Sequence, residues 1–283
     1  MKSEGKRLSE KQIKNYLRYL EQEEKSPVTR EKYLRDARAF VRFADNTAIT
    51  KDTVTAWKRH LLERGYAIRS INSMLSAVNG LLEFTGLHHC KVKAIRMQRQ
   101  AFCAEEKELT KADYLRLLEA SRNDPRLNLV IQTICCTGIR VSELRYFTVA
   151  AVRHGEVTVN CKSKTRTIFV PGKLKKMLLR YAKQQNCVAG AIFVDRNGKP
   201  LDRSVIWREM KHLCGSAGVK ASKVFPHNLR KLFARTFYTM EKDIAKLADL
   251  LGHSSINTTR IYIMTTGAEH RRKIERLGLV MQT

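Results

Sequence analysis

Four separated stretches of this 283-residue chain carry side chains whose types and spacing suit work on a phosphate. They are Thr137-Gly-Ile-Arg140-Val-Ser-Glu143-Leu144, Cys161-Lys162-Ser163-Lys164-Thr165-Arg166, Pro226-His227-Asn228-Leu229-Arg230, and Leu250-Leu251-Gly252-His253 with Thr258-Thr259-Arg260-Ile261-Tyr262. Taken singly each has a plain structural explanation. Arg140 and Glu143 stand at i,i+3 and can form a local ion pair. Lys162 and Lys164 fall on a polar turn, His227 and Arg230 share a helix face, His253 follows a turn glycine, and Tyr262 sits in an apolar helix. Together their chemistry is complementary. Two arginines can clamp non-bridging phosphate oxygens, because the guanidinium fork matches phosphate and keeps its charge near neutral pH. Two histidines can donate to, or exchange protons with, the same centre. A tyrosine is an oxygen nucleophile, weak at a free pKa of ~10 and activated where cations and a base favour phenolate. A lysine on a turn can protonate a leaving oxygen. No carboxylate cluster suited to Mg²⁺ accompanies these stretches, so side chains are expected to neutralise the transition-state charge, with no metal and no cofactor.

The elements that position these groups read differently in the two halves. Residues 8–86 read as helices only. Ser9 begins a capping box with Gln12, ahead of Ile13, Tyr16, Leu17 and Leu20 at helical spacing. After Ser26-Pro27 a second helix runs from Thr29 to about Ala44. A third starts at Thr50 or Asp52 and ends at Gly65, and a fourth runs from about Ile68 to Phe84. Lys32, Arg35, Arg38 and Arg42 line one side of the second helix. That stripe is either a solvated face or a set of phosphate contacts. Residues 88–107 lack periodicity and read as a linker. Beyond it come helices at Lys111–Ala120 and about Arg126–Cys136, then a short helix from Arg140 to Tyr146. Glu156–Cys161 and Arg166–Val170 alternate with period two and form a hairpin around a turn at Lys162–Thr165. The apolar run Ala191–Val194 precedes an Asn197-Gly198 turn, and further helices are expected at about 172–186, 203–216, 228–239, 242–251 and 256–264.

Charge narrows the partner. The chain has 54 Lys+Arg against 27 Asp+Glu, a formal charge of +27. The excess covers both halves, with 21 basic and 11 acidic residues in 1–100 and 33 and 16 in 101–283. A folded protein this basic repels itself, and a polyanion is its natural partner, nucleic acid before a membrane surface. A hydrophobic content of 43% supports real cores and excludes a disordered basic arm. No apolar run approaches the ~18 residues of a membrane span, and MKSEGKRLSEKQ has no apolar signal core. Seven cysteines without C-x-x-C spacing argue against both a metal cluster and a secreted disulfide framework. The expected location is therefore cytoplasmic, associated with the nucleoid.

TGIRVSEL, PHNLR and LLGHSSINTTRIY resemble, in order and spacing, the signature stretches of the tyrosine recombinase (lambda-integrase) family, in particular its Xer-like and mobile-element members. Tyr262 follows His253 by nine residues, as in that family. The resemblance spans most of the chain. It implies a mainly α fold with a small antiparallel β-hairpin, in two domains: a helical SAM-like core-binding domain over 1–90, a linker over 91–107, and a mixed α+β catalytic domain over 108–283 whose segment from about 268 exchanges between subunits. It implies a site-specific recombinase that cuts and rejoins duplex DNA without metal or ATP, as a homotetramer on two DNA sites, alone or with a second recombinase. Tyr262 would form a 3′-phosphotyrosyl bond and leave a 5′-hydroxyl. Arg140 and Arg230 would hold the phosphate, His227 would take the tyrosine proton, His253 would donate to phosphate, and Glu143 would orient Arg140. Lys162 would be the general acid, with Lys164 the alternative, because the turn CKSKTR lacks the glycine usual beside the family lysine. Lys231 stands where the family often has histidine. Two rivals share parts of this pattern: a non-enzymatic helix–turn–helix regulator built on Asp243–Gly252 and Ser255–Tyr262, and a type IB topoisomerase with the same nucleophile and cations.

Overall fold

The computed structural model of the protein describes residues 7–97, 105–161, 164–277 and 279. The chain divides into two compact units, 1–99 and 100–283.

The first unit is four helices, α1 (Glu10–Gln22), α2 (Pro27–Ala44), α3 (Lys51–Glu63) and α4 (Ile68–Phe84). Caps set their starts. Ser9 and Gln12 form the expected box, Ser26 accepts from Thr29 N, and Thr50 accepts from Thr53 N. Their apolar faces meet in one core containing Tyr16, Leu20, Phe40, Trp57, Leu61, Ile71, Leu75 and Val78, with Phe40 and Trp57 edge to face at 5.2 Å.

The second unit carries the chemistry-bearing stretches. It contains α5 (Lys111–Ala120), α6 (Pro125–Thr137), a 3-10 turn at Val141–Tyr146, α7 (Val149–His154), a hairpin of β1 (Glu156–Cys161) and β2 (Lys164–Phe169), α8 (Gly172–Gln184), α9 (Arg203–Ala217), α10 (Pro226–Glu241), α11 (Ile244–Leu251), α12 (Ile256–Tyr262) and α13 (Gly267–Glu275). Its main core gathers α5–α9, the hairpin and the start of α10 around Val130, Ile134, Phe147, Val157, Phe193 and Leu229. A smaller core joins Ala234, Leu247, Leu251 and Tyr262 with Phe233 and Phe237. It seats α11 and α12 on α10.

Three helices start earlier than their sequence pattern suggests. α2, α6 and α10 all begin with proline at the first helical position, at Pro27, Pro125 and Pro226. Proline has no N–H to lose there, and its fixed φ suits the first turn. The second strand starts inside the expected turn Lys162–Thr165. β2 already begins at Lys164, which pairs with Cys161, and Thr165 pairs with Asn160, whose Oδ1 accepts from Thr165 Oγ1 at 2.8 Å. Lys164 is therefore a strand residue and not part of the turn. Ala191–Val194 makes only isolated bridges, Thr148 to Ala191 and Val194 to Pro200.

Candidate active site

Six of the residues singled out by type and spacing meet in the second unit, at a place where four helices end or begin. α6 ends at Thr137 with Gly138 as a left-handed cap (φ +65°), and the chain turns at once into Arg140. A Cβ on Gly138 would lie 2.3 Å from Phe233 Cδ1, so no side chain fits between this turn and α10. α10 starts at Pro226 and presents His227 and Arg230 three residues apart on one face. α11 ends at Leu251, Gly252 caps it at φ +63°, and His253 follows. α12 ends on Tyr262.

A helix C-terminus leaves carbonyls without intrahelical partners and carries partial negative charge. Here arginines fill that need. Arg230 Nη1 donates to Gly138 O at 2.6 Å and Nη2 to Leu251 O at 2.7 Å. Arg140 Nη2 donates to Gly252 O at 3.3 Å. Arg230 is 1% exposed, and its Nε is a buried donor without a hydrogen-bond partner. Burial, then the nearby Arg140, pulls its pKa down to about 10, which leaves it charged at neutral pH.

Glu143, 2% exposed, is the carboxylate of the cluster. Its Oε1 accepts from Arg140 Nη1 at 2.9 Å, and its Oε2 accepts from Arg140 N and from Arg166 Nη2, both at 2.7 Å. Arg166 Nη1 also donates to Leu251 O at 2.9 Å. A Cβ on Gly252 would fall 2.5 Å from Arg166 Nη1, so the glycine admits the guanidinium against the α11 cap.

Tyr262 is 9% exposed, and its ring is wrapped by cationic and imidazole groups. The His227 ring centroid lies 5.0 Å away, that of His253 4.8 Å, and Arg230 Cζ 5.8 Å. Burial first, then Lys231, Arg230 and Arg140, pushes His227 down to about 4. Burial, then Arg230, Arg140, Arg166 and His227, does the same to His253. Both imidazoles are neutral near pH 7 and can accept a proton. His253 Nε2 faces Arg230 Nη2 at 3.0 Å, and its Nδ1 faces Thr259 Oγ1 at 2.9 Å.

Arg140, Glu143, His227, Arg230, His253 and Tyr262 thus share one site. Lys162 lies outside the described residues, and of Lys164 the backbone is described, as the first residue of β2. The α2 stripe lies in the other unit and is partly neutralised from within. Lys32 and Arg35 both pair with buried Asp36, at 2.7 and 3.0 Å, and Arg38 pairs with Glu10 at 2.8 Å, while Arg42 is exposed in the last turn. Two further site residues, Arg166 and Thr259, lie inside the four chemistry-bearing stretches, where type and spacing give them no role. Arg166 has a signal all the same: it pairs with Val159, and its neighbour Ile168 with Val157, on the buried side of the hairpin, so an arginine stands where the alternation calls for an apolar residue. Thr259, fully buried, has only the helical spacing of α12 to mark it. Among the described residues no group of three or more His, Cys, Asp and Glu could hold a metal ion, and no helix is long and apolar enough to cross a membrane.

Comparison with known proteins shows the family and the fold. Residues 107–269 match the Phage integrase family, and residues 13–86 match the Phage integrase N-terminal SAM-like domain. The tyrosine recombinase XerA of Pyrococcus furiosus is 29% identical over 284 residues, covering 97% of this chain and 96% of that protein. The tyrosine recombinase XerD of Pseudomonas aeruginosa is 30% identical over 258 residues, covering 83% and 85%. A crystal structure of a lambda integrase dimer bound to a COC′ core site superposes with a TM-score of 0.75 at 19% identity, over 92% of this chain and 96% of that one, which is a likeness of fold.

Proposed function

The chain belongs to the phage integrase family and is a tyrosine-type site-specific recombinase, and from that premise we propose that it cuts and rejoins duplex DNA through a bond between Tyr262 and a scissile phosphate. One observation carries the assignment of residues: a buried tyrosine ring packed between two neutral histidines and a buried arginine that has an unpaired donor.

Tyr262 Oη attacks phosphorus, its proton passes to neutral His227, and the bond to the 5′-oxygen breaks. The product is a 3′-phosphotyrosyl ester and a 5′-hydroxyl, whose proton comes from a hairpin lysine, Lys162 or Lys164. Arg140 and Arg230, held by backbone carbonyls in the free protein, exchange those contacts for the non-bridging oxygens. Charged donors aimed at developing charge in a desolvated site are worth most in the transition state. Arg230 Nε is an unmade bond that an anion would satisfy. His253 adds a further donor, and Glu143 fixes the rotamer of Arg140. The ester conserves the energy of the broken bond, so resealing requires no ATP. Exchange between two duplexes breaks four strands with one tyrosine each, which calls for a homotetramer on two DNA sites. The first unit and its α2 stripe, Lys32, Arg35, Arg38 and Arg42, supply phosphate contacts away from the reacting centre. Residues 1–90 act as the core-binding domain, 91–107 as the linker and 108–283 as the catalytic domain, with the protein working in the cytoplasm on the nucleoid.

The test is covalent capture. Fragmented DNA of the source genome is incubated with the protein, quenched in SDS, and the protein-linked DNA is sequenced. Enrichment of one short site, with no capture by Tyr262→Phe, supports the reading. Capture by Tyr262→Phe at the wild-type level overturns it, and capture of DNA without site preference favours the topoisomerase.

A further inference from the structure

Thr259 has no assigned role, yet its hydroxyl is the atom that faces the second nitrogen of His253. The protonation of that ring follows from its neighbours. A guanidinium N–H can only donate, so Arg230 Nη2 at 3.0 Å requires a lone pair on His253 Nε2. The neutral ring then carries its proton on Nδ1 and donates it to Thr259 Oγ1 at 2.9 Å. In this form His253 has nothing to donate from Nε2. A phosphate oxygen arriving between Arg230 and His253 reverses the demand, because it is an acceptor and wants N–H from both.

We propose that Thr259 is a positioning residue that lets His253 change tautomer when the scissile phosphate arrives. This rests on the reading of the site as a phosphate-cleaving centre. In the free protein Thr259 Oγ1 accepts from Nδ1–H. With phosphate bound, the hydroxyl rotates and donates to Nδ1, and Nε2–H donates to the phosphate oxygen. The exchange removes one proton from Nδ1 and places one on Nε2 through water at the partly exposed ring, so the imidazole stays neutral and no charge is created. A hydroxyl is suited to this because it is donor and acceptor at once, whereas a carboxylate or carbonyl in its place would lock Nδ1–H. Thr259 is wholly buried at one end of the ring, with Arg230 at the other, so the ring keeps its position while its hydrogen-bond direction reverses.

The experiment pairs ¹⁵N-histidine NMR with cleavage by two variants. In the free wild-type protein the His253 signals should show Nδ1 protonated and Nε2 bare. In the Tyr262→Phe complex with the captured DNA site they should show the reverse. Thr259→Val, nearly the same shape, should cleave about 10- to 100-fold more slowly, and Thr259→Ser should stay within about threefold of wild type. Nε2–H in the free protein, an unchanged tautomer on DNA, full activity of Thr259→Val, or equal losses for both variants would each overturn the proposal. If wild type cleaves no DNA at all, the function reading fails on that ground. The free-protein spectrum then still decides whether Arg230 and Thr259 set the tautomer.

Discussion

Replacing Glu143 with glutamine should separate DNA binding from DNA cleavage. The carboxylate accepts three hydrogen bonds, from Arg140 N, Arg140 Nη1 and Arg166 Nη2, at 2.7, 2.9 and 2.7 Å. Glutamine keeps the shape and one acceptor oxygen, but its amide must point N–H at an N–H or guanidinium donor. A hydrogen bond to a charged group contributes about 1.5–3 kcal/mol, and breaking a buried pair costs about 3–5 kcal/mol. The Arg140 side chain is 37% exposed, so solvent recovers part of its share, while Arg166 is much more buried. A net loss of about 2–4 kcal/mol of stability follows, measurable by urea denaturation. The substitution also removes one negative charge beside the site, so affinity for duplex DNA should hold or rise at fixed salt. Cleavage should instead fall by about 100-fold or more, because Arg140 loses the partner that aims it at the phosphate. Gel shift and SDS-stable capture on one DNA site read the two effects side by side. A parallel fall in both, or unchanged cleavage despite the stability loss, would refute the reasoning that Glu143 acts by orienting Arg140.

Two further outcomes follow from the geometry. Gly252→Ala places a methyl 2.5 Å from Arg166 Nη1 at a φ of +63°, so it should cost about 1–3 kcal/mol of backbone strain and lower cleavage, while Gly215→Ala, inside α9 with its Cβ meeting nothing within 4 Å, should leave cleavage unchanged and stabilise by about 0.5–1 kcal/mol. His227 and His253 are held near 4 in the folded protein against an ordinary value of 6.5, so the unfolded chain binds more protons between these values; stability should therefore rise with pH from about 4 to about 6.5 and level off above it, and His227→Gln should flatten that rise in a pH series of thermal melts.

The helices were legible because their caps and apolar spacing are local. Ser9 caps α1 and α5 begins at Lys111 as their sequence pattern suggests, and of the two candidate starts of α3 it is Thr50, not Asp52, that caps the helix. The misplaced starts of α2, α6 and α10 share one cause, a proline that reads as a break and is in fact the first residue of the helix. The site residues were legible as a set of complementary chemistries, and Arg140, His227, Arg230, His253 and Tyr262 do converge. What joins them was not legible. Arg166 reaches Leu251 across 85 positions of sequence, and Arg230 reaches Gly138 across 92. Both bonds end on backbone carbonyls, which leave no mark on residue type. Gly252 was readable as a turn, but its closeness to Arg166 is a tertiary fact.

The most direct test of the central claim is to digest the SDS-stable DNA complex and locate the modified residue by mass spectrometry. The account predicts a nucleotide remnant esterified to the phenolic oxygen of Tyr262, with a free 5′-hydroxyl on the released strand. A remnant on Ser254, Ser255 or any other side chain, or a 5′-phosphate on the released strand, would contradict it.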